Sequence, residues 1–170
     1  MGAPPRPTVR FLISRPQHWV ALSLGAGLSP FWPGTAGSVL GFGLYGCLQA
    51  VGPVERGALY LLLFAVGAWC SHVTGAALGQ QDHRSIVWDE TVGMSLVLEF
   101  IPASPVFWAA GFLLFRAFDA LKPWPIFLAH NAKPNGFWVM FDDVLASVYA
   151  VIAFFMLRHL WLFIGWPINP

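Results

Sequence analysis

Five of the eight acidic residues in this 170-residue chain fall in three clusters, Asp89-Glu90, Asp119 and Asp142-Asp143, each set in otherwise apolar sequence. A charge at membrane depth costs about 3 kcal/mol unless it faces a partner, a metal or a wet cavity, so residues spent this sparingly mark a functional site. The stretch DHRSIVWDETVGM, Asp82 to Met94, brings three carboxylates and Arg84 together, and oxygen donors of this kind suit a hard cation such as magnesium. Neighbours on a helix point about 100° apart. Asp89 and Glu90 therefore border one cavity from two directions: one binds metal while the other orients water or a basic partner, or one of them simply complements the positive end of a helix. His83 reads as an exposed loop histidine. Asp142 and Asp143, in GFWVMFDDVLAS, open the last apolar segment. Two like charges side by side at a membrane boundary are unfavourable without a cation, which favours metal ligation over a simple cap.

Two further stretches carry groups suited to phosphate. In GAGLSPFWPGTAGS, Gly25 to Ser38, glycines let backbone N–H groups approach an anion. Gly34, Thr35, Gly37 and Ser38 stand at the amino end of the first full apolar segment, where the helix dipole favours phosphate; the other reading is a plain turn with Thr35 or Ser38 as helix cap. In FRAFDALKPWPI, Arg116, Asp119 and Lys122 recur every three residues and lie along one helix side. They form an internal ion-pair ladder, or they present two cations to a phosphate with Asp119 orienting Arg116 or serving as base. Lys122 alone is also explained by snorkelling. Arg84 is a further candidate phosphate contact.

These groups must be positioned by membrane-like elements. The chain is 57% hydrophobic and 10% charged, with a mean hydropathy of +0.65, against roughly 25% charged residues in a soluble domain. That predicts an all-α integral membrane bundle of four to five spans. The predicted spans are Thr35 to Val51, Gly57 to Leu78, Val87 to Ile101, Ser104 to Leu121 and Asp143 to Gly165, as one domain over 17–170 behind a cytoplasmic tail, 1–16. Arg6, Arg10 and Arg15 precede a short run, Trp19 to Trp32, which has the outline of a signal peptide but ends in two prolines without a small-x-small cleavage site. It is expected to be retained, as an interfacial or re-entrant helix too short for the roughly 20 residues of a span.

Breakers mark the connections at Gly52-Pro53, Pro102 with Pro105, Pro123 with Pro125, and Pro134-Asn135-Gly136. Gly67, Ser71, Gly75 and Gly79 put small residues on one helix face, for packing within the chain or in a homodimer. The positive-inside rule places every charged cluster on the cytoplasmic face; Arg84, Lys122 and Lys133 agree, and Arg56 and Arg158 do not. A net charge of +1 without a basic stripe excludes nucleic acid as a partner. Cys47 and Cys70 lie in apolar segments, where a buried thiol is the simple reading.

In these four stretches and their order, the chain resembles the phosphatidylglycerophosphatase A family over nearly everything from Gly25 to Ser147. The family's last motif ends in glycine where this chain has Ser147, which touches local packing and leaves the acidic pair intact. The resemblance implies a bacterial inner-membrane, magnesium-dependent phosphatase that converts phosphatidylglycerophosphate to phosphatidylglycerol, with a bilayer phospholipid as substrate. The residues alone support a narrower statement that agrees with it. Neither cysteine has an arginine six positions on, no Asp-x-Asp pair occurs, and the lone Ser71-His72 pair lacks an Arg/His framework. What remains is metal-assisted attack by water, with Asp89, Glu90, Asp142 and Asp143 holding one or two magnesium ions and Arg116 and Lys122 balancing phosphate charge. A CDP-alcohol phosphotransferase would need a longer Asp-rich signature than the chain contains. A proton- or cation-coupled transporter would also use intramembrane carboxylates, but the chain shows no internal repeat.

Overall fold

The computed structural model describes residues 6–130 and 135–164; Lys133, Pro134, Gly165 and the first five residues of the expected tail lie outside them. Every regular element among the described residues is helical: α1 Val9–Ser14, α2 Pro16–Ala21, a 3-10 turn Ser23–Leu28, α3 Pro33–Leu48, α4 Pro53–Leu78, α5 Trp88–Phe100, α6 Pro105–Leu121, α7 Ile126–His130 and α8 Gly136–Phe163. Prolines set several starts. Pro16, Pro33, Pro53 and Pro105 each open a helix, where a missing N–H would have had no partner in any case. Asn135 caps α8 by accepting from the N–H groups of Phe137 and Trp138.

Helix α5 is the hub. It packs against α3, α4, α6 and α8, and Met94, Val97, Leu98 and Ile101 meet Phe115 of α6 and Ala146, Ala150 and Phe154 of α8 in the main core. Helices α3, α5 and α8 run away from one end of the bundle, and α4 and α6 run towards it. At the far end Arg56 pairs with Glu99 at 2.8 Å, and Gln49 bonds both of them. Arg158 lies over the Phe107 ring at 5.9 Å. The two arginines that count against the predicted orientation are thus a neutralised pair member and a cation held on an aromatic face.

Two expectations change and one is met in part. Among the described residues, α4 and α8, at 26 and 28 residues, are the helices long and apolar enough to cross a membrane; α3, α5 and α6, at 16, 13 and 17 residues, fall short of the roughly 20 needed for an upright span. The apolarity of α5 has another cause: eight of its residues, Asp89 among them, are buried in protein, and a helix surrounded by protein reads much like one surrounded by lipid. Second, α8 begins at Gly136, so Asp142 and Asp143 sit well inside a helix and do not open it. Third, the segment Trp19 to Trp32 is not one helix. Ser23, Leu24 and Gly25 have φ of 44°, 55° and 106°, which ends α2 and folds the chain back so that Ser23 Oγ bonds Thr91 Oγ1 at 2.8 Å. The small-residue stripe is used within the chain: a Cβ on Gly67 would strike Trp88, one on Gly75 would strike the backbone of Gln81, and Ser71 is fully buried.

The N-terminal helices are tied down by a buried histidine. His18 Nδ1 lies 2.9 Å from Thr74 Oγ1, and its ring stacks on Phe11. His83, expected to be exposed, is 1% exposed; its Nδ1 accepts the Ser85 N–H at 3.2 Å. Burial, with Arg15 beside His18 and Arg84 beside His83, holds both rings below the usual histidine pKa. Because the folded values are the lower ones, their stabilisation is full above about pH 6.5 and is lost as pH falls from there through the lower folded values. The difference in thermal unfolding midpoint between the unaltered protein and the His18→Gln/His83→Gln double variant, measured in detergent, should therefore be constant from pH 8 to 7 and shrink between about pH 6.5 and 5.

Candidate active site

The elements that meet at the charged end are drawn together by hydroxyl-to-carbonyl bonds and by glycines. Thr91 Oγ1 lies 2.9 Å from the carbonyl oxygens of Gly37 and Val87. A Cβ on Gly37 would sit 2.7 Å from the Val87 carbonyl, and one on Gly41 2.8 Å from that of Thr91. Helices α3 and α5 therefore touch backbone to backbone. Trp32, with φ 47°, turns the chain into α3, and Lys122, with φ 42°, ends α6. Left-handed backbone at non-glycine residues costs about 1–3 kcal/mol and collects at functional sites; here both residues flank the charged cluster. Ser147 joins α8 to α5, its Oγ reaching the Gly93 carbonyl at 2.9 Å and the Asp143 carbonyl at 2.7 Å.

The charges form two connected groups. In the first, Asp89, Glu90 and Asp143 bring carboxylate oxygens within 4.8 Å of one another. Asp89 and Asp143 are buried, and Glu90 Oε2 and Asp143 Oδ2 are buried with no hydrogen-bond partner among the described residues. In the second, Arg116 Nη1 donates to Asp119 Oδ2 at 2.5 Å and lies 3.9 Å from Glu90 Oε1 and 3.4 Å from Ser38 Oγ. Lys122 Nζ lies 2.5 Å from Asp142 Oδ2 and 4.0 Å from Asp119 Oδ1. Burial pulls the Lys122 ammonium down, but Asp142 beside it, with Asp143 and Asp119, raises its pKa above the ordinary lysine value, so it is a permanent cation at any physiological pH.

Five carboxylates thus surround two side-chain cations. Like charges so close and so buried repel unless something positive lies among them. The two orphaned oxygens and an all-oxygen donor set fit a hard divalent cation, and the amino ends of α3 and α5 add favourable potential for an anion.

Residues 19–158 match the family model of phosphatidylglycerophosphatase A. The chain belongs to the phosphatidylglycerophosphatase A family. It is 41% identical over 155 residues to a protein of that name from Haemophilus influenzae, covering 90% of this chain and 95% of the relative. It is 36% identical over 154 residues to the protein of the same name from Escherichia coli, covering 89% of each chain. No solved structure matches it.

Against the four family stretches, the structure gathers most of the candidate residues and separates some. Gly34 packs directly on Glu90 and the Arg116 guanidinium, with no room for a Cβ. Ser38 donates to the Gly34 carbonyl at 2.9 Å and receives Arg116. Gly37 serves the α3–α5 contact, and Thr35 is half-buried in the same first turn. Asp142 stands apart from the three clustered carboxylates, because the 100° between neighbouring helix positions turns it to Lys122 while Asp143 turns to Asp89 and Glu90. Arg84 is exposed in the α4–α5 connection, with no hydrogen bond or ion pair among the described residues. Thr91, Ser147 and the left-handed Trp32 escape a reading by charge. Thr91 and Ser147 each lie one to four residues beyond a carboxylate on its own helix, which is the signal that could have found them.

Proposed function

We propose that this protein is a metal-assisted lipid phosphatase that hydrolyses phosphatidylglycerophosphate to phosphatidylglycerol and phosphate, at the cytoplasmic face of a bacterial inner membrane. The observation that carries the reading is the set of three clustered carboxylates with two unpartnered oxygens, placed beside an arginine that Asp119 already orients. Asp89, Glu90 and Asp143 would hold the divalent cation, magnesium, which when bound polarises the phosphoryl group and lowers the pKa of a water. Arg116 engages the phosphate oxygens through its guanidinium fork, and Lys122 adds a second positive charge as the transition state forms. Asp119 lies between these two cations and acts by orienting them. Asp142 holds Lys122 and stands outside the metal set. The Gly34 to Ser38 turn lets the phosphate approach the cluster closely.

A membrane setting is supported by the outer surface. Leu61, Leu62, Trp69, Leu113 and Phe163 are all exposed, and Phe31, Trp32 and Trp124, at 78%, 79% and 74% exposure, ring the charged end as interfacial anchors would. We assign α4 and α8 as full spans, with α3 and α6 as short ones in locally thinned bilayer. A transporter would need charge along a path through the bundle, whereas five carboxylates gather at one end and the far end carries the mutually neutralised Arg56–Glu99 pair.

The test is phosphate release by the detergent-purified protein from phosphatidylglycerophosphate, with phosphatidic acid as the control lipid, in magnesium and in chelator. Release that needs magnesium and prefers phosphatidylglycerophosphate is the expected result. No release from either lipid by folded protein would overturn the reading.

A further inference from the structure

An apolar groove of about 170 Å³ opens between α5 and α8, lined by Leu96, Phe100, Ser147, Val148, Val151 and Ile152. It begins one helical turn from the clustered carboxylates. Ser147 follows Asp143 by four residues, and the carbonyl it bonds on α5, that of Gly93, follows Asp89 by four. Because the Ser147 hydroxyl is turned inward on the Gly93 and Asp143 carbonyls, the exposed lining of the groove is wholly apolar. Both helices run away from the charged end. Ile152 is nine residues beyond Asp143, about 13 Å along the helix. Phe100, Val148 and Ile152 are 58%, 45% and 53% exposed, so helix packing leaves the groove open along this length.

We propose that this groove seats an acyl chain of the substrate lipid, with the headgroup phosphate of the same molecule at the carboxylates; the inference rests on the proposed phosphatase activity. The order of polarity along α5 and α8 carries it. Carboxylates and cations at one end are followed, one helical turn on, by an inward-turned hydroxyl and an apolar groove, and a phospholipid presents the same sequence of headgroup and tail. Binding strength is not what the groove contributes, since lipid tails offer a chain an equally apolar surrounding. Its contribution is orientation: a seated chain restricts where the attached phosphate can lie, and misplacement by 1 Å can cost about a hundredfold in rate.

Val148→Trp fills the groove at an exposed position outside the charged machinery. It should lower kcat/KM on long-chain phosphatidylglycerophosphate about tenfold and leave the dihexanoyl analogue within about twofold. Leu113→Trp, on the exposed surface of α6, should change neither. Equal losses on both lipids, or none on the long-chain one, would overturn the proposal. Photolabelling keeps it testable if the tryptophan variant fails to fold. The unaltered protein is placed in vesicles with the phosphonate analogue of phosphatidylglycerophosphate, or with phosphatidylcholine, each carrying the same photoreactive chain. Adducts on Leu96, Val148 and Val151 should be enriched several-fold with the phosphonate lipid; equal labelling means that bulk lipid fills the groove, and the proposal falls. If the unaltered protein releases no phosphate, the proposed function fails, and the labelling still decides the groove by itself.

Discussion

Asp143→Asn should abolish phosphate release while making the metal-free protein more stable. Asp143 is 2% exposed, shares a 4.8 Å cluster with Asp89 and Glu90, and has Oδ2 unpartnered. On the proposed assignment, removing its charge would take a donor from the cation and lower turnover at least a hundredfold, about 2.7 kcal/mol of transition-state stabilisation. The same change relieves repulsion among buried carboxylates, so the unfolding midpoint measured in chelator should rise. Magnesium should stabilise the unaltered protein, because a ligand that binds only the folded state shifts unfolding in proportion to the logarithm of its concentration; it should stabilise the variant far less. Turnover in magnesium that survives in the variant would remove Asp143 from the metal site. A midpoint in chelator that falls would show that the carboxylate is held by protein contacts alone.

Gly34→Ala is the second large effect, and it comes from a single methyl group. The added Cβ would overlap Glu90 Oε1 and lie 3.2 Å from both terminal nitrogens of Arg116. Arg116 is held by Asp119, whereas Glu90 Oε1 is the end of a flexible side chain, so the methyl acts by pushing this carboxylate off its place in the cluster. Overpacking of this kind costs about 1–3 kcal/mol, and displacing the carboxylate should lower activity about a hundredfold. Gly43→Ala, on the same helix with nothing within 4 Å of the new Cβ, should leave activity unchanged. Phosphate-release rates and unfolding midpoints for the two variants compare a filled contact with an open one. Equal behaviour would mean that the Gly34 backbone does not bear on the site.

Charge placement was legible in the sequence because few forces compete with it. A carboxylate in apolar surroundings must be solvated by something, so Asp89, Glu90, Asp119, Asp142 and Asp143 announce a shared polar site, and Arg116 and Lys122 are the cations near enough in pattern to serve it. Helix starts were legible to within a few residues: elements expected from Thr35, Gly57 and Ser104 begin at Pro33, Pro53 and Pro105, where proline forces the start. The family was legible from four ordered motifs, and residues 19–158 match it.

Other features needed the tertiary structure. Asp142 and Asp143 are chemically identical neighbours, and only the placement of α6 sends one to Lys122 and the other to the clustered carboxylates. His83 sits in a polar stretch that looks like open loop, yet it is buried, and the chain returning after the left-handed Ser23-Leu24-Gly25 turn packs Gly27 on the carbonyl of Ser85, two residues on. Helix α5 has the composition of a span and is the buried hub. The physical reason is common to all three: sequence records what each side chain costs in water, and it does not record whether protein, lipid, a cation or an oppositely charged neighbour meets that cost. That choice belongs to the packing of helices distant in the chain, which here sets Gly34 against Glu90, Ser147 against Gly93 and Lys122 against Asp142.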